Sequence, residues 1–345
     1  MVKSVDESFI SEIKGLLTSA KERVRIAINV AMVYTYYEIG RRIIEQEQKG
    51  ENRAEYGKEI LKQLSTALTN EFGKGFSISN LKTIRQFYLV YSKDQIGQPV
   101  VTQSDNLPTT SDGKRFFLSW SLYIQLMRIS NIDERHFYEI EAYKNNWSKR
   151  ELERQFGSSL YERLILSKDK KKVLELSQKG QIVEKPTDAI KEPYVLEFLN
   201  LREDERYSEK ELETRIINKL QYFLLELGKG FTFVQRQMRL SFDDEHFFAD
   251  LVFYNRILRC FVVIDLKTDK LTHQDIGQMQ MYVNYFDRCV KLPDENKTIG
   301  ILLCREKSDA VVEMTLPKDN DSIFASKYKT VLPSKEELLK LIEEK

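Results

Sequence analysis

Asp250, Asp265 and Lys267 carry charge inside two otherwise apolar runs, FFADLVFY (247–254) and CFVVIDLK (260–267). Both runs are rich in aromatic and β-branched residues and predict buried strands. The five residues NRILR (255–259) between them are short enough for a hairpin. A buried charge is costly unless it is paired or bound to a cation. Side chains alternate along a strand, so Asp265 and Lys267 point to one side and Leu266 to the other, with Cα atoms about 6.5–7 Å apart. If Asp250 lies at the same level on the neighbouring strand, the two carboxylates converge at roughly 5 Å. Hard anionic oxygens on a rigid sheet suit Mg²⁺, with Mn²⁺ as the second choice, sharing the ion with water and a substrate phosphate. The chemistry such a set supports is metal-assisted hydrolysis of a phosphodiester, with Lys267 orienting water or stabilising developing charge. A lone D-x-K is equally what a structural ion pair at a strand end would leave. The stronger signal is the combination of an acid in one apolar strand, a hairpin, and a D-x-K closing the next.

The elements around these residues follow from pattern. Thr272 is a good helix cap, with Asp275 in the favourable first turn. Ile276, Met279, Val283 and Phe286 predict the buried stripe of a helix over 273–288. Asp275, Gln278 and Tyr282 fall on a neighbouring face, and Gly277 is expected where the helix lies close on a sheet. The run TIGILLC (298–304) predicts a central strand. Upstream, 209–227 predicts an amphipathic helix, ended by Gly228 and Gly230 before an opening strand over 231–242. The order is helix, three strands, helix, strand.

This order, with Asp250 and the Asp265-Leu266-Lys267 triplet, resembles the PD-(D/E)XK nuclease superfamily and, within it, the YhcG-like (DUF1016) family. The matching segments are FLLELGKGF (223–231), DLVFY (250–254), DLK (265–267), GQMQMY (277–282) and IGILLC (299–304). In the N-terminal half AEYGK (54–58), GFS (75–77) and Asn80-Leu81 match the family's other domain. The resemblance implies an α+β or α/β chain: an all-helical N-terminal domain, then a restriction-endonuclease-like αβββαβ domain with a mixed sheet. It implies Asp250 and Asp265 as metal carboxylates, Lys267 as the catalytic lysine and Gln278 as the polar residue on the following helix. An acid on the first core helix would be Glu213 or Glu226. The second acid is Asp265 where many relatives have Glu, which could change metal preference, and Ala249 stands where the superfamily name has Pro.

Composition sets the outer bounds. The 345 residues suffice for two domains with real cores. A net charge of +1 supplies no global field, so any basic binding surface must be local. Cys260, Cys289 and Cys304 are scattered and expected to be reduced. There is no C-x-x-C or H-E-x-x-H for zinc, no secretory h-region and no apolar run of membrane-spanning length. A cytoplasmic protein is expected.

The chain reads as bipartite: a helical domain over 1–166, a linker over 167–192 containing KDKKK (168–172), and the nuclease-like domain over 193–345. In the first half a long helix is expected to end at Gly40 or near Gly50, a second to run over 56–72, and a third to be capped by Ser79. Residues 92–115 predict a loop, and 120–129, 133–145 and 148–166 predict helices, the last opened by the capping box SKRE. The second and third helices could form a helix-turn-helix with Asn80, Lys82 and Arg85 exposed for nucleic acid, or be one pair in a bundle. Trp120 and Trp147 read as core anchors. Ile10, Ile13, Leu17, Ala20 and Val24 form an apolar face, suited to a homodimer or to packing in the same chain. The functional readings are a Mg²⁺-dependent nuclease with DNA favoured over RNA, a catalytically idle nucleic-acid-binding protein, and a subunit of a restriction or defence assembly.

Overall fold

The computed structural model describes residues 7–49, 53–93, 110, 112, 115–166, 170–202, 206–242, 245–335 and 338. Its elements are α1 (Glu7–Glu47), α2 (Arg53–Phe72), α3 (Ile78–Tyr91), α4 (Trp120–Leu126), α5 (Ile132–Lys144), α6 (Lys149–Gly157), α7 (Leu160–Leu166), α8 (Lys170–Lys179), β1 (Tyr194–Val195), α9 (Glu209–Asn218), α10 (Leu220–Leu227), β2 (Phe231–Phe242), β3 (Glu245–Asn255), β4 (Cys260–Lys270), α11 (His273–Tyr285), β5 (Ile299–Glu306), α12 (Asp309–Thr315) and β6 (Ile323–Lys329). The chain divides into two compact units, 1–152 with 177–180, and 153–176 with 181–345.

The first unit is helical. α1 runs through Gly40, which is a packing notch and not a helix end: a Cβ there would meet the Ile84 carbonyl at 2.5 Å and Tyr88 Cβ at 2.9 Å. Leu81, Ile84 and Phe87 of α3 are fully buried, and Phe87 packs against the rings of Tyr37, Phe116, Trp120 and Tyr123. Trp120 and Trp147 serve as core residues, Trp147 being buried. The cap of α3 is Ser77, whose Oγ accepts from Asn80 N at 3.3 Å, in place of the expected Ser79. Most of the loop expected over 92–115 and the first part of the KDKKK run lie outside the described residues.

The second unit is built on a six-stranded sheet in the order β1-β6-β5-β4-β3-β2. The β2/β3 and β3/β4 pairs are antiparallel; β4/β5, β5/β6 and β1/β6 are parallel. The mixed sheet is covered on both faces. Leu212, Ile216, Phe223 and Leu227 of α9 and α10 pack with Leu251, Ile264, Leu266, Ile301 and Leu303. On the other face Ile276, Met279, Tyr282 and Val283 of α11 pack with Val252, Val263, Leu302 and Cys304. The strands buried on both faces, β4 and β5, are those whose sequences are continuous apolar runs. The helix–sheet approach is made by Gly300, where a Cβ would strike Met279 Sδ at 2.6 Å. Gly277, given that role from sequence, has open space around it. It stands two positions before Met279, on the solvent side of α11.

Two long helices expected from periodicity are each broken. Residues 148–166 form α6 and α7, separated at Ser158 and Ser159, where Ser159 takes φ 51°. Residues 209–227 form α9 and α10, separated at Lys219 (φ −121°, ψ 28°). Hydrophobic spacing continues across both breaks, so it does not register them. The expected linker contains α8 and a 3₁₀ turn over Pro186–Ala189, with Leu176, Val183, Asp188 and Lys191 buried. Residues 153–166, expected with the helical half, fall in the second unit. The physical tie is ionic: Arg154 and Arg163 both reach Glu226.

Candidate active site

The hairpin register decides the site. β3 and β4 pair from Asn255↔Cys260 to Leu251↔Ile264, and the next pair in that register is Asp250 opposite Asp265. The ladder stops there. In place of a backbone bond, the Leu266 N–H donates to Asp250 Oδ2 at 2.8 Å. On its far side Asp265 remains paired with Leu302 of β5, so a rigid central strand holds one acid while the other turns its side chain into the gap.

Asp265 is 3 % exposed. Burial, then the charge of Asp250, pushes its carboxyl up from 3.8 to about 7 against the opposing pull of Lys267. Lys267 Nζ lies 2.9 Å from Asp265 Oδ2, 3.6 Å from Glu209 Oε2 and 3.9 Å from Asp275 Oδ1. Burial lowers the Lys267 pKa, but Asp265, Glu209 and Asp250 outweigh it and raise the group above the ordinary lysine value, keeping it an ammonium. Glu209 is pushed up by burial and by Asp250 and Asp275, with Lys267 opposing. Asp275 also closes the capping box of α11, its Oδ2 accepting from the Thr272 N–H at 2.8 Å.

Glu213, on α9, joins this cluster through Gln237. Gln237 Nε2 donates to Glu213 Oε2 at 2.7 Å and to Asp250 Oδ1 at 2.9 Å. Arg236 Nε sits 3.2 Å from Glu213 Oε1. Gln278 is one step removed: its Nε2 donates to Tyr282 Oη at 2.5 Å, and Tyr282 donates to the Phe248 carbonyl at 3.0 Å. The Tyr282 hydroxyl, raised to about 12 by burial and by Asp265, stays protonated.

Glu226 is elsewhere. It is fully buried, with Oε1 accepting from Arg163 Nη1 at 2.5 Å and from the Val195 N–H at 3.0 Å, and Oε2 3.3 Å from Arg154. Burial pushes this carboxyl up, but Arg163, Lys191 and Arg154 together bring it down to about 2. Glu226 is therefore a satisfied structural anion, which corrects its sequence-based candidacy beside Glu213. The helix break at Lys219 separates the two acids' surroundings, which a single continuous helix could not have indicated.

The N-terminal candidates are not a uniformly exposed row. Lys82 is exposed. Arg85 is held by Glu47 through Nε at 2.8 and 3.0 Å, and the Asn80 amide donates to the Gly75 carbonyl. Lys82 and Arg85 line a cavity of about 660 Å³ with Lys58, Glu47 and Leu61.

Sequence reasoning missed Gln237, Glu209 and Arg236, and saw Asp275 only as a helix-capping acid. The polar triplet Gln235-Arg236-Gln237 inside an otherwise mixed apolar strand is the trace that could have pointed to two of them.

The donors suit a hard cation. They are all oxygens, and the two most buried, Asp265 Oδ2 and Glu213 Oε1, are met only by the side-chain cations of Lys267 and Arg236. Among the described residues no three His, Cys, Asp or Glu side chains form a ready-made cage. Mg²⁺ needs none, since it is held by one or two carboxylates together with waters and phosphate.

Two families of known proteins match the chain. Residues 187–343 match the family described as the YhcG PDDEXK nuclease domain, and residues 12–163 match the DUF1016 N-terminal domain. A protein of Escherichia coli (strain K12), named "Putative nuclease YhcG", is 41% identical over 338 residues, covering 94% of this chain and 90% of that one. Among solved structures, a repair endonuclease from Pyrococcus abyssi is 18% identical over 38% of this chain and 50% of that chain, with a TM-score of 0.27. An EndoMS–dsDNA2 complex is 14% identical over 39% and 51%, also at 0.27. These two matches span about half the length of the solved chains.

Proposed function

The chain belongs to the YhcG family of PDDEXK nucleases, and we propose that it is a divalent-metal-dependent nuclease that hydrolyses phosphodiester bonds in nucleic acid, DNA ahead of RNA, with Mg²⁺ as the working ion and Mn²⁺ as a substitute. The observation that carries this reading is the ion pair of buried Asp265 with half-buried Lys267, set against Asp250 at the point where the β3/β4 ladder opens. Asp250 and Asp265 would hold the ion, with Glu213 alongside.

The chemistry a divalent cation supplies at such a site is neutralisation of charge on the phosphodiester and acidification of water. Lys267 would serve as a charged donor, since in the metal-free site its carboxylate neighbours hold the proton on it. Its closeness to Asp265, Glu209 and Asp275 supports a role in orienting water or meeting the oxygen on which charge develops. Tyr282, protonated and fixed to the Phe248 carbonyl, holds the backbone two residues before Asp250. Gln278 acts through Tyr282.

We assign substrate or partner contact to the helical unit, with Lys82 and Lys58 at its cavity as the cationic contacts. Ile10, Ile13, Leu17 and Val24 of α1 are 41 to 59% exposed, and with exposed Ala20 they recur every three or four residues, which suits a second copy of the helix. A homodimer would bring two sites to one duplex. A partner from a restriction or defence assembly is the other occupant to test for. Among the described residues no helix is long and apolar enough to cross a membrane, and Cys260 and Cys304 are free and buried, which accords with a cytoplasmic protein.

The test is cleavage of duplex, single-stranded and branched DNA and of RNA, with Mg²⁺ or Mn²⁺, beside Asp265→Ala. Cleavage that needs metal and is absent in the variant is expected. Tight binding with no turnover would replace this reading with the idle-binder reading.

A further inference from the structure

Gln237 is a non-glycine residue with φ 46° in the middle of a strand. The left-handed region is unfavourable for such a residue, and it persists only where the surroundings impose it. Its position explains the cost. In the register set by Arg236↔Leu251 and Met238↔Ala249, Gln237 falls opposite Asp250. Neighbouring side chains on a regular strand point to opposite faces. Here Arg236 and Gln237 reach the same carboxylate: Arg236 lies 3.2 Å from Glu213 Oε1, and Gln237 donates to Glu213 Oε2 at 2.7 Å. The positive φ turns Gln237 round to do this. Its amide also spans to Asp250 Oδ1 at 2.9 Å, so one side-chain NH₂ ties an acid of α9 to an acid of β3.

We infer that Gln237 is a positioning residue that holds the carboxylates of Glu213 and Asp250 at the separation a divalent cation requires, and that the left-handed backbone at this position is retained for that purpose. The inference rests on the metal-dependent reading of the site. A neutral amide suits the role. Each of its two protons satisfies one carboxylate, which keeps the acids apart by one nitrogen without adding a charge that would compete with the ion. Partners of metal ligands commonly change metal affinity by 10–100-fold when removed.

The experiment uses the full chain and separates positioning from packing. Wild type, Gln237→Gly and Gln237→Ala are compared by calorimetric titration with Mn²⁺ in the absence of substrate, by thermal unfolding without metal, and by cleavage. Both variants lose the amide that satisfies the two acids, but glycine accepts the left-handed conformation freely, so Gln237→Gly is expected to remain folded while binding Mn²⁺ roughly 10–100-fold more weakly. Gln237→Ala is expected to lose the same affinity and to unfold at a lower temperature than the glycine variant. Wild-type Mn²⁺ affinity in Gln237→Gly would overturn the inference, as would a wild type that binds no Mn²⁺. A wild type that binds Mn²⁺ but cleaves nothing, with Gln237→Gly binding weakly, would sink the nuclease reading and leave the positioning role standing.

Discussion

The second unit buries acid in two places and treats it in opposite ways. Around Glu226, the cations Arg154, Arg163 and Lys191 and the Val195 N–H face one carboxylate, whose pKa falls to about 2. Around Asp265, the acids Asp250, Glu209 and Asp275 crowd one lysine, and the carboxyl rises to about 7. In the first cluster both oxygens of the carboxylate are met by donors, from Arg163 and the Val195 N–H on one and Arg154 on the other. The second sets the acids Asp250, Asp265, Glu209, Glu213 and Asp275 against two cations, Lys267 and Arg236, and bends a backbone at Gln237. Cations outnumber acids around Glu226, which leaves no attraction for a metal ion, whereas acids outnumber cations around Asp265, which does. The two acids that looked alike on one predicted helix, Glu213 and Glu226, belong one to each.

The contrast can be broken most sharply by removing an acid from each cluster. Asp265→Ala is expected to lower kcat by about 10³-fold or more, equivalent to about 4 kcal/mol, while the protein remains folded. Single-turnover cleavage with circular dichroism on the same sample measures both, and an active Asp265→Ala would remove the residue from the mechanism. Glu226→Ala should do the reverse. It leaves buried cations unpaired and should cost about 3–5 kcal/mol of stability, read by urea unfolding, with kcat per folded molecule little changed.

The clusters should also respond to pH with opposite sign. Glu226 titrates lower in the folded chain than in the unfolded one, so its contribution is present above the unfolded value near 4.5 and is lost as pH falls toward 2. Asp265 titrates higher in the folded chain, so the folded state holds the extra proton between about pH 4 and 7. Its penalty therefore grows as pH rises through that window and is full above 7. Without metal, Asp265→Asn should raise stability at pH 8 by about 2–4 kcal/mol and do little at pH 4. Thermal unfolding at the two pH values checks it; an equal shift at both would mean that the penalty is not ionic.

Smaller effects sharpen the same picture outside the charge clusters. Gly300→Ala should cost about 1–3 kcal/mol by pressing Met279 off the sheet, whereas Gly277→Ala should stabilise by up to about 1 kcal/mol in an open helix position. Chemical denaturation of the pair would reverse the assignment if Gly277→Ala were the more harmful. Lys82→Ala should leave stability within about 0.5 kcal/mol. If the helical unit contacts nucleic acid through it, the substitution should reduce the salt dependence of binding by about one phosphate's worth.

Strand periodicity alone dictates much of this. Two apolar runs, a five-residue connection and the i, i+2 spacing of Asp265 and Lys267 are local facts, and local backbone geometry turns them into a hairpin with two charges on one side. The same holds for the capping boxes at Ser148 and Thr272, where each partner is three residues away. The helix breaks at Ser159 and Lys219 escaped because apolar spacing runs through them. β6 and the short β1 escaped because a mixed polar segment such as IFASKYK becomes a strand only when β5 offers it a ladder.

The sequence by itself therefore determined which residues could carry the chemistry, the order of elements that presents them, and the face on which Asp265 and Lys267 stand, since each of these depends on neighbours a few residues apart. Only the tertiary structure decided which helix acid is beside Asp250, which glycine carries the close packing, and that Gln237 turns against its strand to join Glu213 to Asp250. Those outcomes depend on pairings between residues 13 to 72 positions apart, and the energy of a buried charge is set by what surrounds it in space and not by what adjoins it in the chain.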